Sequence, residues 1–242
     1  MNTQEMMDSL KRTARLAGAL TLLMAVIAPF GMIYVPSTLV VPGDATATAN
    51  NIIASEGLLR LGIAGNAVVF LIEIVLVVIL YVLLEPVSRT FSLVAAFARL
   101  AMTTVQGVNL FNQFMALQVL GGAPYLGGFE PGQLHALALL FMNAFDSVSL
   151  IWGLFFALHL AVLGALVYRS GYIPRVVGAL LIVASLCYFV QSFGTILLPG
   201  STEIWSAIGL VSMVELAFPL WLVIKGVKGQ GTGSQPAQQV RA

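Results

Sequence analysis

Residues Leu58–Leu84 read LLRLGIAGNAVVFLIEIVLVVILYVLL. That run is apolar and long enough, at 1.5 Å per helical residue, to cross a hydrocarbon core of about 30 Å. Its interior carries one amide, Asn66, and one acid, Glu73. A charged group at that depth costs several kcal/mol unless it is paired, hydrated or neutralised, and so marks a functional-site candidate.

Five further stretches share this character. Hydropathy places spans over Ala14–Val35, Leu58–Leu84, Phe91–Leu120, Val148–Tyr168, Arg175–Leu198 and Ile204–Ile224. Pro86, Gly171 and Pro174 mark the turns on one side; Pro36, Pro42-Gly43, Gly121-Gly122, Pro124, Pro131-Gly132 and Pro199-Gly200 mark those on the other. Pro29 and Pro219 fall inside spans and should distort them. With 59% hydrophobic and 9% charged residues, a soluble domain is excluded, since about a quarter of residues are charged there. The expected fold class is all-α: a polytopic bundle of six transmembrane spans over residues 14–226. A flank of residues 1–13 precedes it, and a disordered tail, rich in Gly, Ser, Gln and Pro, occupies residues 227–242.

Charge supports the count. Lys11, Arg12, Arg15, Arg89, Arg169, Arg175, Lys225 and Lys228 fall on one side, whereas Asp44, Glu56, Glu130 and Glu203 fall on the other, with Arg60 as the nearby cation. This positive-inside pattern predicts that both termini are cytoplasmic, in a bacterial inner membrane. The run from Leu16 to Val35 exceeds a signal-peptide core of about 7–15 residues and reads as a retained anchor. Gly132–Tyr168 is too long for one span. Gln133 to about Asp146 therefore forms a short outer-surface helix or extends the fourth span, bringing His135, Asn143 and Asp146 to the interface. Thr46–Gly57 is a second surface-helix candidate, with Glu56 and Arg60 at i,i+4. Asp44 reads as a turn residue or helix cap.

Counting from the span ends puts Glu73 about 16 Å, Arg99 about 12 Å, His159 about 14 Å and Glu215 about 14 Å deep, one slab on four helices. On the third span, Arg99, Gln106, Asn109 and Gln113 recur at i, i+7, i+10 and i+14, one helical face. Asn66 and Glu73 share a stripe with Gly62, and Ser185, Tyr188 and Ser192 share another. Such stripes should face the bundle interior or a wet cavity opening outward along the third span. Glu73, Arg99, His159 and Glu215 are the expected ligand- or proton-binding residues; Asn66, Gln106, Asn109, Gln113, Ser185, Tyr188 and Ser192 are the expected cavity lining. Two ionised acids exceed the single charge of Arg99, so neutrality needs a protonated carboxyl, a protonated His159 or a bound cation.

Other chemistry is missing from the pattern. His135 and His159 without a cysteine cluster give no zinc site, so no metal or cofactor is expected. There is no nucleophile elbow, phosphate loop or dinucleotide fingerprint, and a net charge of +1 offers no field for nucleic acid. Cys187, alone in an apolar run, excludes an intrachain disulfide and reads as a buried thiol. Trp152, Trp205, Trp221, Tyr34 and Tyr168 suit interfacial or packing positions.

Several motifs in order carry a family resemblance. Pro42-Gly43-Asp44 is followed by Thr48-Ala49-Asn50-Asn51-Ile52, Glu56 and Arg60; Phe155-Phe156 comes with His159, and Ile173-Pro174-Arg175 with Gly178. Glu215 then precedes Trp221-Leu222-Val223-Ile224-Lys225-Gly226. In these the chain, from about Arg12 to Gly226, resembles the bacterial integral-membrane proteins grouped as domain of unknown function 4386. The resemblance implies a polytopic prokaryotic membrane protein and brings no catalytic residue with it. Three functions stay open: binding or transport of a small molecule or proton, with the lipid bilayer as the assured partner; an intramembrane enzyme acting on a lipid or isoprenoid, with His159 and a glutamate as acid and base; or a scaffold subunit whose charges lock helices together.

Overall fold

A computed structural model describes residues 3–198 and 202–227. Lys228, the Pro199-Gly200 turn and the tail beyond Val227 lie outside the described residues, as does the side chain of Glu203. Among the described residues the regular structure is entirely helical: α1 (Thr3–Pro29), a π-turn (Phe30–Tyr34), α2 (Val35–Leu39), α3 (Ala45–Ala54), α4 (Glu56–Leu84), α5 (Arg89–Leu120), a 3₁₀ turn (Pro124–Leu126), α6 (Pro131–Ser170), α7 (Arg175–Leu197), α8 (Thr202–Val211), a 3₁₀ turn (Ser212–Leu216) and α9 (Ala217–Ile224). Six segments are long and apolar enough to cross a membrane, and exposed Leu, Val, Ile and Phe side chains cover their outer faces.

The spans close into a ring. α4 packs on α5, α5 on α6, α6 on α7, and α7 on α8–α9; α1 closes the circuit between α9 and α4. Gly18 lets α1 approach α9, because a Cβ there would meet the Pro219 carbonyl at 2.7 Å. Gly164 and Gly178 do the same for α6 and α7, each Cβ position falling within 2.8 Å of the other residue's carbonyl oxygen. Small residues that admit close backbone contact suit helices with no hydrophobic drive toward one another in lipid. Gly226 lies against Lys11, so the two ends of the described chain share one face, called here the terminal side.

The two intraspan prolines both adjoin irregular turns: the π-turn Phe30–Tyr34 follows Pro29, and the 3₁₀ turn Ser212–Leu216 precedes Pro219. Pro36 was expected to end the first span, but the helix continues through it to Leu39. The π-turn before it, where the Val35 N–H reaches back to Phe30 O, widens the backbone where the proline ring would clash with the preceding turn. In the sixth span Pro219 removes the N–H that would bond the Glu215 carbonyl, and Ser212–Leu216 tightens to 3₁₀.

The longest helix settles the ambiguous segment as an extension. α6 runs unbroken for 40 residues, about 60 Å, from a capping box between Glu130 and Gln133 with Pro131 in its first turn. Its first turns stand beyond a bilayer's thickness and pack on α3, with His135 Nδ1 3.4 Å from Thr46 Oγ1. There the Pro-Gly-Asp and Thr/Asn motifs acquire physical reasons. Gly43 adopts φ 77°, and Asp44 caps α3 by accepting from Ala47 N–H at 2.9 Å. Thr48 Oγ1 accepts from Val41 N–H, and Asn51 Nδ2 donates to Leu39 O, satisfying the end of the first span. Glu56 and Arg60 pair on the surface.

Two apolar cores are stacked along the ring axis. The terminal-side core includes Leu76, Leu80, Leu163, Val167, Leu181 and Leu222. The loop-side core includes Leu39, Ile52, Leu59, Leu110, Met142 and Phe145. Asn66, Gln106, Asn109 and Ser149 come between them in sequence along α4, α5 and α6, as a polar belt. Cys187 is a free, half-buried thiol.

Candidate functional site

Arg99 is the hub. Its Nε donates to Glu73 Oε2 at 2.5 Å and its Nη1 stands 3.0 Å from His159 Nε2. His159 Nδ1 is 2.8 Å from the Ala95 carbonyl. A guanidinium only donates and a carbonyl only accepts, so the ring must accept at Nε2 and donate from Nδ1, the neutral Nδ1–H tautomer. All three side chains are buried, at 6%, 5% and 1% exposure for Glu73, Arg99 and His159. Helix register brings them together: α4, α5 and α6 are sequential antiparallel neighbours, and the three residues lie at similar depth from the terminal side. With His159 neutral, one positive and one negative charge cancel.

The stripe on α5 continues toward the loops. Gln106 Nε2 donates to Ser149 Oγ at 3.0 Å, and Asn109 Nδ2 donates to the Phe145 carbonyl at 2.8 Å and to Gln106 Oε1 at 3.2 Å. Asn112 Nδ2 donates to Asn109 Oδ1 at 2.8 Å. These amides bind α5 to α6. Gln113 Oε1 and both amide atoms of Asn66 are buried without a hydrogen-bond partner; Asn66 lies against Gly31, where a Cβ would come within 2.5 Å of its Oδ1. Ser185 Oγ donates to the Ala157 carbonyl at 2.7 Å, and Ser192 Oγ occupies the space a Cβ on Gly153 would fill.

Glu215 stands apart from the Arg99 hub. Its Oε1 accepts from the Tyr188 hydroxyl at 3.2 Å, and its Oε2 is buried with no partner. Rings fill the interval: Phe156 stacks on His159 with centroids 6.2 Å apart, meets Tyr188 edge-on at 4.8 Å, and stacks on Trp152 at 5.1 Å. Three of the four expected ionisable residues thus meet directly, and the fourth is joined to them through aromatic contacts. Among the described residues, no three His, Cys, Asp or Glu side chains converge as a metal site requires.

Trp152 and Ser149 are not among the expected site residues, and Phe156 enters there only through its motif with His159, yet a signal exists for all three. Stepping back from His159 by three, four and three positions along α6 gives Phe156, Trp152 and Ser149, one helical face. Ser92, Thr103 and Asn112 on α5 were also passed over; Thr103 Oγ1 donates to the Arg99 carbonyl at 2.9 Å.

Comparison with known proteins places the chain in a wider set. A family model described as "Domain of unknown function (DUF4386)" matches residues 16–226. A protein of Archaeoglobus fulgidus described as "Uncharacterized protein" is 29% identical over 175 residues, covering 72% of this chain and 89% of the relative. No solved structure matches.

Proposed function

We propose that this chain, which belongs to the DUF4386 family, is a multi-pass membrane protein that takes up a proton, and with it binds or moves a small molecule, at the interior site of Glu73, Arg99, His159 and Glu215. The observation that carries this reading is the inequality of the two acids. Glu73 has its counter-charge in Arg99, whereas Glu215 has a phenol on one oxygen and nothing on the other. Glu215 is half-buried, and an acid whose buried oxygen faces no cation gains most from binding a proton. The neutral His159 tautomer leaves no second positive charge in the Arg99 hub to balance it.

The seven basic residues Lys11, Arg12, Arg15, Arg89, Arg169, Arg175 and Lys225 support a cytoplasmic terminal side, in the inner membrane of a prokaryote. A second reading rests on a specific observation too: Glu73, Arg99 and His159 hydrogen-bond across three helices, as a clamp would. Lipid chemistry has less support, because both ring nitrogens of His159 already have partners.

Infrared difference spectroscopy between alkaline and acidic buffer tests the proposal in reconstituted protein. The expected result is a protonated-carboxyl C=O signal that persists in Glu73→Gln and vanishes in Glu215→Gln. A spectrum identical in wild type and Glu215→Gln would leave only the clamp.

A further inference from the structure

Between α4, α5 and α6, on the terminal side of the Arg99 hub, lies a cavity of about 10 Å³, bounded by Tyr81, Leu84, Ser92, Ala96, Arg99 and His159. Ser92 is only 2% exposed, and its Oγ has no hydrogen-bond partner. A buried hydroxyl in that state calls for a guest. The volume matches about one water centre. Arg99 has its charge matched by Glu73 and has N–H groups beyond the two used on Glu73 and His159, so the guest the walls favour is neutral and polar rather than an anion. Ser92 lies in the first turn of α5, seven residues or about 10 Å from Arg99. Ala95 and Ala96 keep the interval open, and the Tyr81 hydroxyl at the rim donates to Glu85, itself 3.6 Å from Arg89.

We infer that this cavity is a water site on the terminal side of the Glu73–Arg99–His159 hub, in which water partners the Ser92 hydroxyl and hydrates the face of the site that Arg99 and His159 present to it. The inference rests on the reading of the site as protonic, but its hydration is measured separately. The polar and ionisable groups lining the cavity are Tyr81 from α4, Ser92 and Arg99 from α5, and His159 from α6; Glu85 and Arg89 lie beyond the Tyr81 hydroxyl.

Radiolytic hydroxyl-radical footprinting reads buried water directly, since radicals form beside it. In the wild-type protein in membranes, His159 at 1% exposure should be oxidised, whereas Met142, as deeply buried at 2% and intrinsically more reactive, should be protected. Ala96→Leu fills the cavity and should abolish His159 labelling while leaving that of surface residues unchanged. Protection of His159 equal to that of Met142 overturns the inference, and so does labelling that survives Ala96→Leu. Identical infrared spectra in wild type and Glu215→Gln, with His159 still labelled, would defeat the proposed function and leave the water site standing.

Discussion

The two walls of the ring hold their acids differently. On the α4–α5–α6 wall, Glu73 sits in regular helix and faces a guanidinium that is held in turn by a histidine oriented by a backbone carbonyl. On the α7–α9 wall, Glu215 sits in a 3₁₀ turn ahead of Pro219, leans on one phenol and keeps a buried oxygen unmatched. Removing one partner of a buried ion pair is strongly destabilising because it strands the other charge. An acid held by a neutral group strands no counter-charge when that group is lost, only its own acceptor. The first wall therefore reads as a support, and the second as the place where protonation can change.

The sharpest way to break this contrast is Arg99→Ala, which should lower stability in detergent by about 3–5 kcal/mol, measured by reversible unfolding. The double variant Glu73→Leu/Arg99→Leu should recover much of that loss; equal damage in single and double variants would deny that a stranded charge is the cause. Next comes Gly153→Ala at the junction of the walls, where the new methyl meets Ser192 Oγ at 2.5 Å. Overpacking there should cost about 1–3 kcal/mol, and Ser192→Gly in the same protein should relieve it. Tyr188→Phe should cost only about 0.5–1.5 kcal/mol, the worth of a net hydrogen bond, yet shift the carboxyl infrared signal of Glu215. A cost equal to that of Arg99→Ala would make the two walls alike. The smallest effect falls outside both: Asp44→Ala removes the α3 cap, should cost about 1 kcal/mol, and should leave the infrared signals unmoved.

The ring's membership was legible residue by residue. Glu73 interrupts an apolar run, and Arg99, Gln106, Asn109 and Gln113 keep one face over four turns, so lipid cost alone turned them inward. Ser149 and Trp152 needed the helical face of His159 to be followed backward, which periodicity permits. Ser92 offered no pattern, because a serine in a first turn is ordinary and its burial comes from α6 packing across it. The outward-opening cavity expected from the α5 stripe has its amides engaged with α6, while the cavity touching Arg99 lies toward the terminal side.

Hydropathy and proline placement by themselves determined an all-helical chain with six membrane-crossing segments, because lipid offers the backbone no partner except its own turns. Which acid meets the arginine was decided only by tertiary structure. Depth along a helix is a count of residues, but azimuth and neighbour order depend on how glycine contacts such as Gly18 on α9 and Gly164 on Gly178 close the ring. That closure places Glu73 within bonding distance of Arg99 and leaves Glu215 with Tyr188.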